Sequence, residues 1–127
     1  MILDAGFLIS VDRNQRAAQA FLTAAQRQHT SLHTTDPVVA QVWRNGARQG
    51  RLAKLLGALT IHPFNDGRDV GDLRSRSRTS DVVDAQLVIL ALRLSDSILT
   101  GDTDDLTALA SALPTNRPTI YEWPWPI

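Results

Sequence analysis

Six aspartates fall in three short stretches of this 127-residue chain: Asp4 near the start, Asp81 with Asp84, and Asp102 with Asp104 and Asp105. Short carboxylates gathered at one place repel one another and hold their protons unless a cation neutralises them. If these meet, they make a site for a divalent ion. There is no cysteine and only three scattered histidines, so the ligands on offer are hard oxygens, which suit Mg²⁺ or Mn²⁺ better than zinc. Such an ion lowers the pKa of a bound water and stabilises developing negative charge, so hydrolysis there needs no side-chain nucleophile. His29, His33 and His62 are dispensable to that chemistry, and His33 and His62 fall in predicted strands as structural residues. No Ser/His/Asp arrangement, GxGxxG or P-loop pattern is present.

An aspartate at a helix N-terminus is also the ordinary cap, and Asp36, Asp66 and Asp81 read first as caps. Asp4 reads differently. It follows an apolar strand and precedes Ala5-Gly6, where no helix is evident for it to serve. Asp84 and Asp102 gain weight from their coincidence with it, and Asp81 and Asp84, three apart, share a helix face.

Twelve of the thirteen acids are Asp and twelve of the thirteen bases are Arg, with a formal net charge of zero. Zero net charge excludes holding nucleic acid by bulk electrostatics, which needs an excess of basic contacts. Any such contact must be local. Arginine suits it, because its planar fork makes paired hydrogen bonds to phosphate. Arg44, Arg48 and Arg51 form one candidate wall of a nucleic-acid groove, with a solvated charged face as the ordinary alternative. Arg74, Arg76 and Arg78, just upstream of the Asp81–Asp84 stretch, form the better one. Trp123 and Trp125, in a Pro-rich tail, read as a cap over the sheet edge or a dimer contact.

The elements that must position these residues alternate. Met1 to Leu3 is a short strand, followed by a polar helix over 14–28 and a strand over 31–35. Asp36-Pro37 opens a helix through Val42 and Trp43, and Arg44-Asn45-Gly46 stops it. A helix over 48–56 ends at Gly57 as cap, before a strand over 58–64 and a short helix around 70–74. The strongest helix opens at Thr79-Ser80-Asp81 and runs to Leu94 with an apolar stripe. A strand over 97–100, a helix over 104–113 opened by Gly101-Asp102, and a strand over 119–122 complete the chain. This predicts one α/β domain over 1–127: a three-layer α/β/α fold with a mostly parallel sheet of four or five strands. The longest apolar run, Leu87 to Leu92, is too short to span a bilayer. The start lacks a secretory pattern, so the expected location is cytoplasmic.

Four segments in order, Ile2-Leu3-Asp4-Ala5-Gly6, Val38 to Arg44, Thr79 to Ala85, and Leu99 to Leu106, resemble the PIN-domain family, in particular the VapC-type toxins of bacterial toxin–antitoxin pairs. The resemblance covers nearly the whole chain. It implies a Mg²⁺- or Mn²⁺-dependent endoribonuclease, often dimeric, inhibited by a cognate antitoxin. Carried over, Asp4, Asp84, Asp102 and Asp104 would be the catalytic metal ligands. The chain departs from the pattern at Gln41, where an acid, usually Glu, is expected, and Asp81 is the carboxylate placed to make up for it. Two alternatives stand beside this reading. One is a catalytically weakened RNA- or antitoxin-binding module. The other is a phosphoacceptor receiver domain, disfavoured because its strand-end lysine has no counterpart: Lys54 is the sole lysine.

Overall fold

A computed structural model describes residues 1–78 and 81–124. Five strands, β1 (Ile2–Leu3), β2 (His33–Thr35), β3 (Thr60–His62), β4 (Ile98–Thr100) and β5 (Ile120–Glu122), form one sheet in the order β3-β2-β1-β4-β5. Every pairing is parallel. Such a sheet must be covered on both faces. Helices α1 (Ala5–Asp12), α2 (Arg16–Arg27), α3 (Asp36–Val42) and α4 (Gly50–Ala58) pack with one another through α1, and α5 (Gly67–Ser77), α6 (Val82–Leu94) and α7 (Thr103–Ser111) form the second group. The order differs from the 2-1-3-4-5 of flavodoxin-like receivers, which removes the receiver alternative.

The core lies between sheet and helices, where Ile2, Leu3, Ile98 and Leu99 meet Phe7, Leu8, Leu87, Leu90, Leu106 and Leu109, all fully buried. The C-terminal strand is pinned by Trp123. Its indole Nε1–H donates to Ser10 Oγ at 2.9 Å, and its ring stands edge-on to Phe7 and Phe21. Trp123 thus closes the core beside α1, while Trp125 lies outside the described residues. His33 and His62, on neighbouring strands, meet ring to ring with Nδ1 and Nε2 3.0 Å apart, and burial lowers both pKa values. Among the described residues no helix is long and apolar enough to cross a membrane.

Three expectations about local structure are corrected. Helix α1 starts directly after Asp4 and includes Ala5-Gly6, where no helix is evident in the sequence. Thr35, not Asp36, caps α3: its Oγ1 accepts from Val38 N at 3.4 Å, so Asp36 is the first helical residue. Gly57 lies inside α4, which ends at Ala58.

Candidate metal centre

In a parallel sheet, ligands bind beyond the carboxyl ends of the strands where the connections reverse direction. Here that point lies between β1 and β4, whose onward connections lead to opposite sides of the sheet. Asp4 and Asp102 follow these two strands. Asp4 caps α1, its Oδ1 accepting from Ala5 N at 2.7 Å. The expectation that it had no helix to serve is therefore wrong. Its Oδ2 accepts from Thr100 Oγ1 at 2.7 Å, and the same hydroxyl oxygen accepts from Asp102 N at 2.9 Å. Thr100, fully buried, thus ties the two strand ends together. Gly6 lies against Gly101: a Cβ on Gly6 would stand 3.5 Å from Gly101 N, an ordinary van der Waals distance.

The third contribution comes from α6. Asp81 caps this helix, its Oδ1 accepting from Asp84 N at 3.0 Å, which sets Asp84 on the first turn. Carboxylate oxygens of Asp84, Asp102 and Asp105 then lie within 4.8 Å of one another. Asp84 Oδ2 is buried and has no hydrogen-bond partner among the described residues. A buried acceptor without a donor is costly, and a bare carboxylate oxygen facing other carboxylates is relieved by a cation. Burial, followed by the charges of Asp81, Asp4 and Asp102, pushes the Asp84 carboxyl up to about 7. Asp4 is also raised, by burial that the Thr100 and Ala5 hydrogen bonds only oppose. Asp102 is raised by partial desolvation and then by Asp105 beside it. All of these donors are oxygens, and they fit a hard divalent ion.

The sequence-derived site residues divide. Asp84 and Asp102 enter the close group, which Asp4 and Asp81 adjoin through their charges. Asp104 does not enter it, and Asp105 stands in its place. The reason is helical phase: Asp102 precedes α7, the residue three further on shares its face, and Asp104, two further on, is turned away by about 200° at 3.6 residues per turn. Thr100 is the residue missed in the sequence; Asp105 is among the candidate carboxylates there, but the resemblance assigns the ligand role to Asp104 instead.

The basic residues form no single wall. Arg74, Arg76 and Arg78 end α5, with Arg78 as its left-handed cap. In a helix their alternation sends Arg76 away from the other two, into a recess lined by Asp69, Asp72 and Arg93. Arg74 buries its Nε. Arg44, Arg48 and Arg51 lie in a loop, a 3₁₀ turn and α4 respectively, not on one helix. Gln41 is exposed on α3 and lines a recess with Arg44.

No family model matches the sequence, and no curated protein matches it. Solved structures do. VapBC2 from Rickettsia felis bound to a DNA fragment from their promoter matches over 96% of this chain and 97% of the other, with a TM-score of 0.73 and 13% identity. FitAB bound to an IR36 DNA fragment matches over 99% and 96%, with a TM-score of 0.71 and 17% identity. FitAcB from Neisseria gonorrhoeae matches over 94% of each chain, with a TM-score of 0.65 and 17% identity. At these identities the likeness carries the fold and not the activity, and the chain has the PIN-like α/β fold of these structures.

Proposed function

We propose that the protein is a metal-dependent endoribonuclease and the toxin of a toxin–antitoxin pair, working as a homodimer and held in check by a cognate antitoxin. The observation that carries the reading is the meeting of Asp84, Asp102 and Asp105 around an unpartnered buried carboxylate oxygen at the switch point of the sheet. Likeness in fold to VapBC2 and FitAB supports the toxin reading.

Asp84, Asp102 and Asp105, with Asp4 behind them, would hold Mg²⁺ or Mn²⁺. When bound, the ion acidifies a water and stabilises charge on the scissile phosphate. The protein's own groups prepare the place. Thr100 Oγ1 fixes the Asp4 carboxylate and the Asp102 backbone together. The Asp81 cap fixes where α6 begins and hence where Asp84 stands. Arg78, at the end of α5 that leads to Asp81, is the arginine best placed to meet RNA phosphate near the acids.

Gln41 brings no charge, which favours a second reading: a weakened module that binds RNA or antitoxin without cutting. Incubating structured RNAs with wild type and Asp84→Asn, in Mn²⁺ and in chelator, separates the two. The nuclease reading expects cleavage by wild type only with metal, and a loss of at least about 100-fold in the variant, the upper end of what removing a mere supporting group costs. RNA binding without metal-dependent cleavage in wild type would instead establish the weakened module.

A further inference from the structure

At the end of α1 opposite its Asp4 cap, a recess of about 400 Å³ opens between α1 and the connection from α3 to α4. Three guanidinium groups line it, those of Arg13, Arg44 and Arg48, against a single carboxylate, Asp12. That carboxylate is already engaged: Asp12 Oδ2 accepts from Gln49 Nε2 at 3.2 Å. Gln49 is buried and spends its whole amide on the frame of the recess. Its Nε2 also donates to Val42 O, and its Oε1 accepts from the backbone N–H groups of Arg44 and Asn45. The loop is thereby closed and Asp12 is restrained. Arg44 is held as well, its Nη1 donating to Trp43 O at 3.0 Å and Ala40 O at 3.4 Å. The side chains of Arg13 and Arg48 have no hydrogen-bond or ion-pair partner among the described residues.

We infer that this recess is a binding site for the backbone phosphates of a polynucleotide. The unpaired guanidinium forks of Arg13 and Arg48, beside that of Arg44, match a phosphate oxyanion. Their concentration at one place supplies the local contact that a chain of zero net charge needs. Gln41 lines the same recess. A glutamate there would set a second carboxylate among the arginines, whereas the neutral amide leaves the positive charge in excess. Asp12 lies eight residues beyond Asp4 in sequence, about 12 Å along the axis of α1 at about 1.5 Å per residue. A bound strand would therefore meet this site some nucleotides from the acids. The identity of the anion rests on the nuclease reading, but the site can be tested without metal or cleavage.

The experiment is fluorescence anisotropy with a labelled, uncleavable 2′-O-methyl oligoribonucleotide in EDTA, across about 50 to 200 mM salt, with wild type, Arg13→Gln/Arg48→Gln and Arg13→Lys/Arg48→Lys. Each phosphate contact on a single strand contributes about 0.7 to the slope of log affinity against log salt. The glutamine pair is expected to lose about 1.4 from that slope and to bind more weakly at every salt concentration. The lysine pair, which keeps the charge, is expected to restore most of the slope, and Gln41→Glu to weaken binding. Unchanged slope and affinity in the glutamine pair overturn the inference. So does loss of binding to a poly-aspartate peptide with oligonucleotide binding intact, which would give the recess to an acidic protein partner. Because chelator is present throughout, a failure of metal-dependent cleavage leaves these outcomes readable.

Discussion

The burial and charge that lift the Asp84 carboxyl to about 7 also set a pH dependence. Its ordinary value is 3.8, so without metal the folded chain holds this proton more tightly than the unfolded chain does. The resulting stability is fully present below 3.8 and is lost as pH rises through about 7. Asp4 and Asp102, also raised, act in the same direction. Differential scanning fluorimetry in chelator is therefore expected to show a contribution that lowers the wild-type melting temperature from about pH 4 to 7, and Asp84→Asn is expected to flatten it. A wild-type profile no different from the variant's would contradict the assignment. Thr100→Val tests the tie between the strand ends. It removes the donor to Asp4 Oδ2 and the acceptor for Asp102 N, and should cost about 1–3 kcal/mol in urea unfolding. It should also move the Asp4 carboxyl further up in a ¹³C titration.

Helix α6 brings Asp84 to the rim, and its cap carries two effects of opposite sign. Asp81 satisfies the Asp84 backbone N–H, yet its charge raises the Asp84 pKa. Asp81→Ala loses both and should cost about 1 kcal/mol through the cap. Asp81→Ser keeps a capping oxygen and should be the more stable of the two, while both lower the Asp84 pKa equally. Urea unfolding and carboxyl titration of the two variants check this directly. How far the sequence revealed these elements depends on what each one faces. All five strands were legible because short apolar or β-branched runs end at turn residues, and α6 because it is long and its apolar positions are dense. Helix α1 was not legible, since Phe7, Leu8, Ser10 and Val11 are all buried and no polar face breaks the run. The cap of α3 was misplaced because β2 passes into it without a loop, so Thr35 both ends the strand and caps the helix. Choosing Asp105 over Asp104 needed the phase of α7 against the cluster, and an error of one residue turns a side chain by about 100°.

Across the whole molecule, a parallel sheet that reverses its connections between β1 and β4 brings acids from residues 4, 84, 102 and 105 to one edge. The close group draws on two elements distant in sequence, so the site exists only in the folded chain. An ion bound there stabilises the fold by mass action, and Mg²⁺ should raise the melting temperature of wild type more than that of Asp84→Asn. Convergence around a cation is the central claim, and it is tested most directly by following the Asp84 carboxyl carbon by ¹³C NMR across pH, in chelator and in Mg²⁺. The expected result is a titration near 7 in chelator that moves to clearly lower pH when Mg²⁺ is added, because the ion competes with the proton. The same titration midpoint with and without Mg²⁺ would contradict it.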